Sequence, residues 1–138
     1  MKRPDARGGK RWKDDKYHIF PTVPPELYGL RPGFKYNYDC SVDLTLTKFI
    51  FNAFCKAVTI LGVENNEKEL ITDVKDILAH FPDYPSAESK KYGKVLVSVP
   101  GEHDQVVYNE PNALITVYPG EDYDLHSDNG TCELLRNT

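Results

Sequence analysis

Hydrophobic positions cluster most densely between Val42 and Leu61, where thirteen of twenty residues are apolar. At about 100° per residue, Thr45, Lys48, Asn52, Lys56 and Thr59 fall in one narrow polar stripe, and the rest of the circumference is apolar. The pattern predicts a helix that needs cover on most sides. Ser41 is the expected N-cap, Asp43 puts a carboxylate in the first turn where the dipole favours it, and Gly62 closes the helix as C′. A second helix is expected from about Glu67 to His80. There Leu70, Ile71, Val74, Ile77 and Leu78 recur at three- and four-residue steps, and Pro82 and Pro85 end the run. Packing one face on the first helix is its expected role.

The period then changes to two. Lys94–Val99 reads as a short strand or extended edge, stopped by Pro100-Gly101. Residues 113–118, ALITVY, fit either a strand or the start of a helix, and the tail from Asn129 has no pattern. Residues 17–39 hold four prolines, two glycines and four tyrosines; this density excludes regular structure but supplies enough aromatic surface to predict a long ordered loop. One strongly apolar helix, one amphipathic helix and two short runs do not balance. The chain is therefore expected either to self-associate through the Val42–Leu61 face or to belong to a larger helical array.

Size, charge and cysteines narrow the field. With 138 residues and 40% hydrophobic composition, the chain supports one domain and a packed core. Seven basic against three acidic side chains in residues 1–18 make a basic end, with residues 1–16 expected as a disordered arm and 17–138 as the folded part. The net charge of −4 argues against nucleic acid as a partner. A mean hydropathy of −0.53 and no long apolar run argue against a membrane span, and no apolar leader is visible, which makes the cytoplasm the default location. Cys40, Cys55 and Cys132 are an odd set; across a helix the first two lie about 22 Å apart, beyond disulfide reach. Asn129-Gly130-Thr131 reads as a turn.

Neither metal-ligand spacing nor a phosphate loop or dinucleotide fingerprint is present, so no cofactor is expected. Glu102-His103-Asp104 reads as a solvated loop after a Pro-Gly turn. The remaining candidates are carboxylates in aromatic loops. Glu26, set by Pro24-Pro25 and followed by Leu27-Tyr28, has neighbours that raise a carboxylic acid toward a general-acid value, though the same residues fit a surface glutamate in a proline loop. Asp43 either caps its helix or faces a cavity. Tyr108, Asn109 and Asn112 lie in a loop rich in hydrogen-bonding and aromatic groups, a mixture suited to sugars and equally to plain turns.

These residues have a family likeness. PTVPPE followed by NYDCSVDLTLTKFIFNAFCKAVTILG, and the later VYPG, resembles a core stretch of the α-L-fucosidase-like six-hairpin glycoside hydrolases over about residues 17–120. The resemblance implies a mainly α fold, here about one hairpin of an (α/α)6 toroid with long loops and short extended segments. It also implies inverting hydrolysis of terminal α-linked sugars, with Glu26 as the general acid and Asp43 opening an inner helix. Tyr108-Asn109-Glu110-Pro111-Asn112 stands where the family carries a histidine-rich run, so the likeness extends to the reaction class and not to the sugar. On this reading the chain is a piece of a catalytic domain, inactive alone, with a carbohydrate as partner. The competing expectation is a non-catalytic carbohydrate-contacting or oligomerising module.

Overall fold

The computed structural model describes residues 12–30 and 32–138. The expected basic arm lies outside these residues up to Arg11. Residues 12–16 are seated on the loop that follows, with the Trp12 ring stacked on His18 at 4.3 Å and Lys16 paired with Asp83.

Helix α1 spans Ser41–Leu61 and ends as expected: Gly62 adopts the left-handed conformation (φ 66°), and its N–H and that of Val63 turn back to Thr59 O and Val58 O. Its start differs from expectation. Cys40, not Ser41, is the cap residue, and no side chain caps the turn. Ser41 is already helical, donating from Oγ to Val97 O at 2.6 Å and from N to Ser98 O at 2.9 Å. The helix begins against the segment that follows β2, and the Ser98 carbonyl takes one of the first-turn N–H groups that lack a partner within the helix.

Helix α2, Lys68–Ala79, follows as expected and packs on α1. Strand β1, Ser86–Ser89, pairs antiparallel with β2, Gly93–Leu96, in the register Ser86↔Leu96 to Ser89↔Gly93. β1 carries no apolar alternation and could not be read from its sequence. The short strand expected at Lys94–Val99 is found as β2, and the segment from Val95 to Val99 is buried throughout. The ambiguous run at 113–118 resolves as a 3-10 helix, Asn112–Thr116, packed on α1. The expected patternless tail is a helix, α3, at Asn129–Asn137. Asp128 caps it by accepting from Gly130 N and Thr131 N, so the presumed Asn129-Gly130-Thr131 turn is a first helical turn. α3 packs on β2, and Leu96 N donates to Thr138 Oγ1 at 2.9 Å. The described residues are thus mainly α, with three α-helices and one two-stranded sheet among them.

The core comprises Cys40, Leu44, Val58, Val74, Val95, Leu96, Val97 and Val99. Six of these eight gather where the start of α1 meets residues 95–99, and only Val58 and Val74 lie along the helical hairpin. One expectation about α1 is corrected here. Thr45, placed in the polar stripe, is fully buried against Gly120, where an added Cβ would lie 2.0 Å from Thr45 Cγ2. The shortfall of cover expected for the apolar circumference is observed: Ile50, Ile60 and Leu61 are 59%, 83% and 71% exposed. A second correction follows, since α1 is long and apolar enough, by length and composition, to cross a membrane. Cys40, Cys55 and Cys132 are free thiols.

Candidate functional site

Residues 18–30 and 32–39 form no helix or strand and are tied down by specific hydrogen bonds. Asn37, buried, donates from Nδ2 to Thr22 O (3.2 Å) and Tyr28 O (2.6 Å), and Thr22 N donates to Asn37 O. Asp39 accepts from Ile19 N at 2.9 Å and contacts His18 Nδ1 at 2.5 Å, while His18 Nε2 lies 3.0 Å from Asp14. Glu26 and Tyr28 are both held at positive φ (73° and 55°), a region costly for side chains other than glycine and favoured only where the surroundings over-determine it.

Glu26 is met by a loop eighty-three residues away. Asn109 N donates to Glu26 Oε2 at 2.9 Å and Asn109 Nδ2 to Oε1 at 2.7 Å. Asn112, at the start of the 3-10 helix, donates from Nδ2 to Pro25 O at 3.3 Å. Three of the residues singled out from the sequence, Glu26, Asn109 and Asn112, therefore meet. The desolvating neighbours expected around Glu26 do not: its side chain is exposed. What orients it is a two-point grip, not burial.

Tyr108 turns the other way, toward Glu102, expected in a solvated loop. His103 and Asp104 are exposed as expected, but Glu102 is 6% exposed. The Pro100-Gly101 turn folds it back, so that Oε2 accepts from Ser98 N at 2.7 Å and Oε1 from Tyr108 Oη at 2.6 Å. Burial first, and then the Glu102 hydrogen bond and charge, push the Tyr28 hydroxyl up to about 12 and raise that of Tyr108. The only hint in the sequence is a glutamate four residues after Ser98 across a tight turn.

Asp43 belongs to the same scaffold but not to the same contact. Its carboxylate accepts from the Thr22 hydroxyl, and burial raises its pKa above the usual aspartate value. None of its hydrogen bonds reaches Glu26, Asn109 or Asn112.

Beside these loops lies a cleft of about 350 Å³, with Ser98, Glu102, His103, Tyr108 and Asn112 in its lining. Hydroxyl, amide and aromatic groups stand there beside Val95 of β2 and the following Val97. Among the described residues, no group of three or more His, Cys, Asp or Glu side chains is placed to hold a metal ion. Comparison with protein-family models, curated proteins and solved structures finds no match.

Proposed function

We propose that the chain is a piece of a glycoside hydrolase catalytic domain, of the six-hairpin (α/α)6 type, acting on terminal α-linked sugars with inversion. The observation that carries the reading is the grip of Asn109 on an exposed, backbone-strained Glu26. A proton donor must face substrate in a fixed orientation, and each carboxylate oxygen here keeps a lone pair beyond the one Asn109 occupies. In this reading Glu26 protonates the leaving glycosidic oxygen, and a carboxylate outside the chain, about 6.5–9.5 Å away, activates water. Tyr108, Asn109, Asn112 and the adjoining cleft contact the sugar. The uncovered apolar side of α1 suits the inner helix of a toroid whose other hairpins would cover it. The same side favours the second reading, a module that self-associates through α1.

A membrane has no place in this proposal. Lys48, eight residues into α1, pairs with Asp122 at 2.6 Å, and a charge within a span is unfavourable, by up to about 2.5–3.5 kcal/mol at its centre on insertion scales.

The test is titration of the purified chain with aryl α-glycosides, followed by amide NMR and by release of the aryl alcohol. The expected result is weak binding that perturbs Tyr108, Asn109 and Asn112 and is altered by Glu26→Gln, without turnover, since a lone acid lacks its partner. Sugars that perturb no residue of these loops would overturn the carbohydrate reading. Hydrolysis abolished by Glu26→Gln would overturn the claim that the base lies elsewhere.

A further inference from the structure

Glu102 takes no part in the reaction proposed above, yet its carboxylate is buried at the join between two loops. A buried anion is costly unless it is well supplied with donors. No lysine, arginine or histidine among the described residues forms an ion pair with it. Its donors are neutral: the Ser98 N–H at 2.7 Å and the Tyr108 hydroxyl at 2.6 Å.

The position of that tyrosine is informative. Tyr108 immediately precedes Asn109, so the residue that grips Glu26 sits next to a side chain anchored on the Glu102 carboxylate. On the Glu26 side, Tyr28 is fixed by its carbonyl, which accepts from the buried Asn37, and by its ring, 4.7 Å from that of Tyr36. Asn109 has no comparable anchor of its own: its two hydrogen bonds both go to Glu26, and it is exposed.

We infer that Glu102 is a positioning residue, holding Asn109 in register with the Glu26 carboxylate by fixing the neighbouring Tyr108. This rests on the reading of Glu26 as the functional carboxylate, but its test needs no sugar, so the two stand or fall separately.

The experiment is ¹⁵N NMR of the full chain, following hydrogen exchange and chemical shift of the Asn109 backbone and side-chain amides. Tyr108→Phe removes one hydroxyl and leaves the Ser98–Glu102 bond in place. The expected outcome is a shift of both Asn109 amides toward solvent values and exchange faster by about tenfold, the factor an ordinary net hydrogen bond represents. The Asn37 side-chain amide, bonded to Thr22 and Tyr28 carbonyls, serves as the reference and should not move. Glu102→Gln should act in the same direction. Should Glu102→Gln fail to fold, Tyr108→Phe decides alone. Asn109 amides unchanged in a folded Tyr108→Phe chain would overturn the inference. So would equal loosening of Asn37, which would mean general destabilisation instead of positioning.

Discussion

The two ends of α1 are made of similar residues and meet different fates. At the N-terminal end Ser41, Leu44 and Thr45 are buried against the 97–99 segment, the 3-10 helix and Gly120. At the other end Val58 alone is buried, and Ile60 and Leu61 face outward. Apolar composition states how much burial a helix demands; neighbouring segments decide whether it is met. Here the neighbours that meet it are irregular loops and a short extended segment, while the regular partner, α2, contributes only Val74 to the core.

Paired truncations break or sharpen this contrast most strongly. Leu44→Ala should cost about 2–5 kcal/mol, because the site is closed on all sides and leaves a cavity. Ile60→Ala should stay within about 0.5 kcal/mol, as a surface change does. Urea denaturation measures both. A comparable loss for Ile60→Ala, growing with protein concentration, would show that a second copy covers this end and would favour the self-associating module.

The next effect in size tests how tightly the covered end is closed. Gly120→Ala places a Cβ 2.0 Å from Thr45 Cγ2 and 2.6 Å from Ile115 O, and neither a short buried side chain nor a helical carbonyl can swing aside. Overpacking of this kind costs about 1–3 kcal/mol. Thermal unfolding of the variant should show that loss; a neutral result would mean that the α1–Gly120 contact is loose and the two ends differ less than their burial implies.

How much of this was legible depended on whether the signal was local. Both hairpin helices could be read from three- and four-residue steps, and Gly62 from its place after the last apolar residue, because helix periodicity and C-capping are decided within a few residues. β1 was not legible, since Ser86–Ser89 has no apolar alternation and is a strand only because β2 pairs with it. α3 was missed although Asp128 and Thr131 carry a capping signal, because too few apolar residues follow to mark a face. In the candidate site the residue types were readable and the long-range geometry was not. Glu26, Asn109 and Asn112 stood out by chemistry, but their meeting is fixed by loop closure. Glu102 looked solvated because a Pro-Gly turn usually is, and only Tyr108 folding over it reverses that.

The smallest predicted effect concerns pH and sets two forces at the covered end of α1 against each other. Asp43 lies in the first turn, where the helix dipole favours its anion by about 0.3–1 kcal/mol. Burial acts the other way and raises its carboxyl above the ordinary aspartate value. The unfolded chain keeps that ordinary value, about 3.9. From there upward the native state holds more proton than the unfolded one, so this group's contribution is full below about pH 4 and is lost as pH rises through the raised native value. Asp39 pulls in the same direction, because its burial outweighs the opposing hydrogen bonds from His18 and Ile19 N. Asp43→Asn removes the titration while an amide oxygen can still accept from the Thr22 hydroxyl. The variant should therefore be slightly more stable than the parent at neutral pH, with a shallower fall in stability between about pH 4 and 7. Denaturant midpoints across that range, compared with Asp39→Asn as a second probe, measure the difference. A variant less stable than the parent at neutral pH would mean that the dipole outweighs desolvation at Asp43, and that the start of α1 is wetter than the buried Leu44 and Thr45 beside it.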